Sequence, residues 1–354
     1  MIIYLMDGLN GITDLIDTYA SVIWTMQFFE RGDFQLKVPG TDENLNRLTK
    51  GRLLVRDVDV AEGGEFRNVM VIENRKLDFD AEMGWTLEVT GSGLKSIVGQ
   101  RVVWFQTNLS GSVESGIRQV ITQNIASPAN TARRIPGFTL APAAGITTTF
   151  EAQLMGDNIL EWLETVGKTY SIGWDVYISG GAYVFELQQG TDRTYDQSAV
   201  PPVVFSPEFD NLASASYEQT TESLKNAALI VGEGEGTNQV LEYIGTASGL
   251  DRFETYIDGG SVSSNGEIIT MATYRKMLRE YGTEQLAETT NTDKFEGSII
   301  NNGMYVLGED YFLGDLVQIH NLHGISAKSR VIEMIYAEDE NGASLVPTFS
   351  DWEG

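Results

Sequence analysis

The stretch from Gly308 to Ser350 constrains the fold of this chain more than any other. Gly314-Asp315 reads as a turn that opens a strand in which Val317 and Ile319 share a face. His320 to Ser329 reads as a polar loop, and Arg330 to Glu338 as a second strand with Ile332, Met334 and Tyr336 on one side. Glu340-Asn341-Gly342 carries the Asn-Gly pair that suits a tight hairpin, because both residues tolerate positive φ. Leu345 to Phe349 completes the segment. Such strands expose rows of unpaired N–H and C=O groups, so they need partners upstream. A barrel-like module is the economical expectation, since closure hides strand edges.

The rest of the chain supplies candidates. Within 1–110, Ser21 to Trp24 and Phe34 to Val38 flank Glu30-Arg31-Gly32-Asp33, where Gly32 permits a turn. Leu53 to Val60, Asn68 to Glu73, Leu77 to Phe79, Trp85 to Thr90 and Arg101 to Trp104 follow as short strands. Leu87 and Val89 alternate with Thr86, Glu88 and Thr90, which marks one buried face. The period changes at Ser112, a candidate N-cap for a helix bearing Val113, Ile117, Val120 and Ile121 and stopping by Pro128. Residues 126–150 read as a surface loop. A second helix runs from Asn158 to Val166, with Asn158 and Glu161 as a capping box and Gly167 as its end. Trp174 to Ile178 and Tyr183 to Leu187 form a hairpin across Ser179-Gly180-Gly181. Asn211 to Glu218 and Asn226 to Gly232 resume strands, and Met271, Tyr274, Leu278, Tyr281 and Gln285 mark one side of a third helix.

A chain of 354 residues exceeds one ordinary domain, and two to four are expected. The order of textures gives a β-rich α+β fold with two β-barrel-like modules and interleaved α/β inserts. Its expected divisions are a first β module at 1–110, an insert beginning at 111–208, a second β module beginning at 209–236, the rest of the insert at 237–292 and the rest of the second module at 293–354.

Chemistry is sparse. There is no cysteine, which removes disulfides, thiolate metal sites and cysteine nucleophiles. The formal net charge is −26, which argues against affinity for nucleic acid or anionic membrane. No secretion signal is expected at Met1 to Met6, because Asp7 interrupts the apolar run and no basic region precedes it. No stretch reaches the roughly 18 apolar residues of a membrane span. Gly232 to Gly236 lacks the spacing of a dinucleotide loop, and Gly91 to Ser96 lacks that of a phosphate loop, since Lys95 follows Leu94 rather than glycine. Each reads as a turn. The only histidines, His320 and His323, have no evident third metal ligand. Fifty acidic residues allow a paired-carboxylate site by chance, yet the densest cluster, Glu338-Asp339-Glu340, reads as a solvated hairpin tip. Trp24, Phe28, Phe29, Phe34, Trp104, Phe105 and Trp352 read as core or as subunit-interface anchors. No residue is assigned a catalytic, cofactor-binding or metal-binding role.

Four passages together carry a resemblance. They are Ile23 to Leu36; Leu87 to Leu94 with Arg101 to Trp104; Asn226 to Gly234; and Gly314 to Val317 with Arg330 to Glu333 and Pro347 to Phe349. In this order the sequence resembles a siphophage tail protein family within the baseplate hub or tail-associated (Tal) group. The resemblance implies a homotrimer whose protomers each carry two related β-barrel-like domains, so that a threefold object presents six similar units. It implies docking on the distal tail protein or tail tube ring, a channel that holds the tape measure protein, and DNA as a passenger in transit only. It implies a place at the virion tail tip or baseplate after synthesis in the bacterial cytoplasm, without stable membrane insertion. Many such hubs continue into a lytic or receptor-binding extension. This sequence stops at Gly354, so a separate tip, spike or fibre protein is expected to supply that part. The expected role is structural rather than enzymatic, and no cofactor is expected. The rivals are a carbohydrate hydrolase acting on cell wall or capsule with paired carboxylates, and a receptor-binding tail-tip protein.

Overall fold

Alternating apolar residues drive the first hundred positions into strands. In the computed structural model, which describes residues 1–350 except 62, 83, 267, 288, 290–292, 300–303 and 321–325, these are β1 Ile3–Met6, β2 Ile12–Ile16, β3 Ser21–Gln27 and β4 Asp33–Pro39. A short helix, α1 Asp42–Arg47, precedes β5 Leu53–Arg56, the two-residue strands β6 Val60–Ala61 and β7 Glu65–Phe66, and the long pair β8 Met70–Asp80 and β9 Gly84–Gly93. Phe34, Leu36 and Val38 of β4 are buried and the residues between them are not. The strands expected separately at Asn68 to Glu73 and Leu77 to Phe79 are one strand, β8. Its register shifts between Ile72 and Asn74, so a bulge interrupts the alternation without ending the pairing with β9. Gly91 sits where β9 crosses that region, and a Cβ there would lie 1.8 Å from the Val71 carbonyl oxygen. Arg101 to Trp104 is not a strand; only Val102 bridges, to Asn158.

The next segment holds β10 Thr107–Ser112, α2 Val113–Ile121, β11 Phe138–Leu140, β12 Thr149–Leu154, α3 Ile159–Tyr170, β13 Gly173–Ser179 and β14 Ala182–Gln188. The Ser112 hydroxyl caps α2 by accepting from the Ser115 N–H. Asn158 caps α3 through the Leu160 N–H, but its own amide donates to the Gly99 carbonyl, so the cap is not the expected box with Glu161. α3 passes through Gly167 and ends at Ser171, which takes the left-handed conformation. Gly167 is there for packing: a Cβ would meet the Ile172 carbonyl at 2.9 Å. The 126–150 segment, expected as loop, contributes β11, which pairs parallel with β14. β13 and β14 form the expected hairpin, and β7 adds to β13 through Phe66 opposite Ile178.

The C-terminal part carries β15 Asp192–Arg193, β16 Val204–Phe205, β17 Leu212–Gln219, β18 Ala227–Val231, β19 Leu241–Ile244, β20 Glu254–Asp258, α4 Met271–Ala287, β21 Asp293–Ile299, β22 Leu316–His320, β23 Ser326–Asp339 and β24 Gly342–Phe349. β17 pairs with β21. β18 pairs antiparallel with β19 and parallel with β20, and α4 covers that small sheet. On α4, Tyr274 and Leu278 are buried as the spacing predicts, whereas Met271 and Gln285 are exposed. The buried set includes Met277, Glu284 and Leu286, because α4 also faces β12 and α3.

β23 is the longest strand, and it joins the two ends of the chain. It pairs with β22, with β24 across the Asp339 to Gly342 hairpin, and with β3, from Glu333 opposite Gln27 to Glu338 opposite Val22. The result is a 12-stranded sheet with the order β15-β22-β23-β3-β4-β9-β8-β5-β1-β2, to which β16 and β24 add. The polar loop expected over His320 to Ser329 is shorter than that, since Ser326 to Ser329 pair with β22 and Ala327 and Ser329 are buried. Among the described residues no strand pair closes this sheet into a barrel. The edge of β3 is hidden by β23 instead, so the expected closure is replaced by a pairing between strands from the two ends of the chain.

The tight crossing at Gly91 gives a first prediction. Gly91→Ala should destabilise the chain by about 2–3 kcal/mol, because the strands must move apart. The midpoint of urea unfolding reads this, and an unchanged midpoint would contradict the packing described.

Candidate functional site

Phe28 follows β3 and lies where three distant segments meet. Its N–H donates to the Ile332 carbonyl at 2.8 Å. Its ring is flanked by Gly173 and Gly314, where an added Cβ would lie 2.1 Å from ring carbon in each case. Gly314 also has φ +95°, so both sterics and backbone require glycine there. The Arg330 guanidinium stands 5.9 Å from the centre of the Phe28 ring and donates to the Gly314 carbonyl. From β13, the Trp174 indole N–H donates to the Phe29 carbonyl at 2.7 Å.

Lys95 fixes this corner. Its Nζ donates to the carbonyls of Gln27, Glu30 and Phe28 at 2.6, 3.0 and 3.2 Å, and it lies 5.0 Å from the centre of the Trp174 ring. Burial pushes the ammonium down to about 8, against the pull of Asp175, Glu164 and Glu30. Asp175 is pushed up by its own burial, which Lys95 and Arg67 oppose. Next to them Arg56 pairs with Asp59 at 2.5 Å, both buried, and stands over Trp24 and Tyr336. These groups line a cleft of about 540 Å³ that also receives Phe312. Their hydrogen bonds and ion pairs join the chain to itself, and no nucleophile is set against a base. The arrangement is suited to holding segments together.

A second feature faces outward. β9 is paired with β4 as far as Thr86 opposite Pro39, whereas β5 covers β8 only at Met70 and Val71. From Asn74 to Asp80 the outer edge of β8 has no strand partner among the described residues. At its end Phe79 and Trp85 face each other with ring centres 5.0 Å apart, and they are 62% and 53% exposed. Leu77 is exposed beside them. An unpaired edge ending in an aromatic pair is the chemistry of strand addition and of interface anchors. At one end of the same sheet, β2 presents exposed Ile12 and Leu15.

The residues singled out from the sequence distribute as follows. Trp24, Phe28 and Phe34 are core, and Phe29 is half-buried. Trp104 and Phe105 are exposed at a polar cleft, with Arg133 stacked 4.2 Å from the Trp104 ring centre. Trp352 and His323 lie outside the described residues. His320 ends β22, and no group of three or more potential metal ligands is found among the described residues. Gly232 is packed under α4, where a Cβ would meet the Tyr274 hydroxyl at 2.5 Å. Gly91 to Ser96 leads into a 3-10 turn, Leu94–Gln100, that aims Lys95 inward. Of the Glu338 to Glu340 cluster, Asp339 and Glu340 are exposed, but Glu338 is not a solvated tip residue. It accepts from the Tyr336 and Tyr19 hydroxyls at 2.5 and 2.8 Å. Burial acts to raise its carboxyl; those hydrogen bonds outweigh it and hold the group below the usual carboxylate range. The Phe79–Trp85 pair was missed because each aromatic sits in a good alternating strand. Only their cross-strand pairing beyond the reach of β5 exposes them.

The sequence matches the family described as Siphovirus ReqiPepy6 Gp37-like protein over residues 2–350. No curated protein matches it. Three solved structures share the fold over nearly their whole length. The 43 kDa tail protein of prophage MuSo2 from Shewanella oneidensis is 12% identical with a TM-score of 0.61, covering 99% of this chain and 98% of its own. A tail protein from Neisseria meningitidis is 12% identical with a TM-score of 0.59, covering 99% and 96%. Prophage tail protein gp18 from Listeria monocytogenes is 13% identical with a TM-score of 0.55, covering 100% and 95%.

Lys95 gives the second prediction. Lys95→Met removes the charged donor shared by three carbonyls, one of which, that of Phe28, also accepts from the Trp174 N–H at 3.5 Å, and should cost about 3 kcal/mol at pH 7. The folded Lys95 releases its proton at about 8 and the unfolded one near 10.5. Between these values the unfolded chain binds more protons, so wild-type stability should gain from this group as pH rises from 8 to 10.5. Urea titrations across that window should show the gain in the wild type and not in the variant; equal slopes would contradict the assignment.

Proposed function

This chain belongs to the Siphovirus ReqiPepy6 Gp37-like family of phage tail proteins, and we propose that it is the structural hub of a tail tip or baseplate. Three copies close a ring around the tail axis. Each copy offers two strand-built modules, one from the first hundred residues and one from the C-terminal strands, so the ring seats on a sixfold distal tail protein or tail tube. The ring encloses the end of the tape measure protein and passes DNA without holding it. A separate tip, spike or fibre protein completes the assembly. The role is mechanical, and no catalytic step is assigned to it.

The observation that carries this reading is the β3–β23 join. It makes the N-terminal and C-terminal strands one sheet, so both modules of a subunit move as one body. That body presents two different surfaces, the β2 edge that ends the sheet and the tip of the β8–β9 pair that runs past β5. Unlike surfaces that meet head to tail close a ring when the rotation allows, whereas a twofold dimer needs one surface to match itself. The charge of −26 per chain supports a channel that repels the DNA backbone at close range.

Two expectations follow from the ring. Mass photometry of the purified protein should give three times the chain mass, and a stable dimer would count against the proposal. The double variant Phe79→Ala, Trp85→Ala should change folding stability by less than about 1 kcal/mol, since both side chains are mostly exposed. It should weaken trimer formation or seating on the tail ring by at least about 30-fold, as expected for anchor residues. Unchanged association would remove the hairpin from the contact.

A further inference from the structure

Glu284 has no place in the account above. It lies on α4, is 7% exposed, and its Oε1 has no hydrogen-bond partner. Trp162, on the neighbouring helix α3, is 6% exposed and its Nε1 also lacks a partner. Both line the same cleft of about 330 Å³. Buried polar atoms are rarely left unsatisfied, and two in one cleft, one acceptor and one donor, point to a ligand that supplies the opposite of each.

The surroundings narrow its chemistry. Leu154, Met155 and Met277 give the cleft apolar walls, and Asp157 and Glu161 stand exposed at its mouth. Burial, followed by the charges of Glu280 and Asp157, pushes the Glu284 carboxyl up to about 8. A positive group reaching Glu284 would relieve each of these. Local cations are engaged elsewhere: Lys276 bonds Glu151 at 2.7 Å. Glu280 accepts from the Tyr170 hydroxyl at 3.1 Å, outside the cleft lining. Among the described residues no three carboxylates converge to hold a metal ion. An ammonium carried on an aliphatic stem fits better, since the stem can lie on the methionines and leucine while the head reaches the acid. Indole N–H can only donate, and a peptide carbonyl beside that stem would accept from it.

We propose that the α3–α4 cleft is a socket for a lysine side chain on a basic segment of another protein, with the ammonium at Glu284 and a backbone carbonyl of that segment at Trp162. The charge of −26 makes a basic partner complementary to the surface around the socket. The proposal is independent of the ring, because the socket lies within one chain.

The test uses the full chain with 15N-labelled indoles at pH 7. The probe is acetyl-Ala-Ala-Lys-Ala-Ala-amide, and its control is the same peptide with norleucine for lysine. The lysine peptide should shift the Trp162 indole resonance saturably, and norleucine should weaken the effect by roughly tenfold or more, the worth of a charge-assisted hydrogen bond. Glu284→Gln should do the same to the lysine peptide. The peptide comparison is made on the wild-type chain, so it stands even where the variant folds poorly. No shift with lysine, equal shifts with both peptides, or full binding by a folded Glu284→Gln chain would overturn the proposal. So would a response to chitooligosaccharide with none to the peptide, which would favour the rival reading of a carbohydrate hydrolase.

Discussion

Parts of this molecule that lie hundreds of residues apart meet on β3. Its edge pairs with β23, and the residue that follows it, Phe28, is held between Gly173 and Gly314. A strand edge left open is a site of uncontrolled pairing. Here the edge is covered by the chain's own C-terminal hairpin, so one interaction both protects the N-terminal strands and attaches the C-terminal ones. Lys95 completes it by donating to the carbonyls of Gln27, Phe28 and Glu30, which ties the turn after β3 to the start of the 3-10 turn that follows β9. The side-chain bonds along the join agree with this: Gln27 donates to Glu333 at 2.6 Å, and Thr348 donates to the same carboxylate at 2.8 Å.

A body braced in this way can present its other edges to neighbours. β8 runs beyond the cover of β5, and its aromatic end is available to another chain. The same rigidity explains why the charged groups near Phe28 are poor candidates for chemistry. Arg56, Asp59, Arg67 and Lys95 are bonded to partners in the chain, and a group that holds the structure is not free to bind and release a substrate. Glu284 and Trp162 differ in that each keeps an atom unpaired, and this sets their cleft apart from the larger one.

Local grammar was legible in the sequence. The alternation of β4, the caps at Ser112 and Asn158, and the Asn341-Gly342 hairpin each depend on a few adjacent residues, and each stands where the residues place it. The family resemblance carried the tail assignment. What could not be read was pairing at a distance. Nothing in Ser21 to Gln27 says that its partner lies past residue 326, so the sequence led to a barrel-like module where the strands share one open sheet. Gly167 looked like a helix stop because glycine serves both as a stop and as a packing residue, and only the nearness of Ile172 distinguishes them. Glu284 was hidden for a similar reason: an acid on a helix reads as a solvated face until a second helix is laid over it.

The central physical claim is that β3 and β23 make one cooperative body of the chain. Native-state hydrogen exchange tests it most directly. The account predicts that the hydrogen-bonded amides of β23 and β24 open with the same free energy as those of β4 and β9, in a single global unfolding. Exchange of the C-terminal hairpin through a separate, lower-energy opening, while β4 and β9 stay protected, would contradict it.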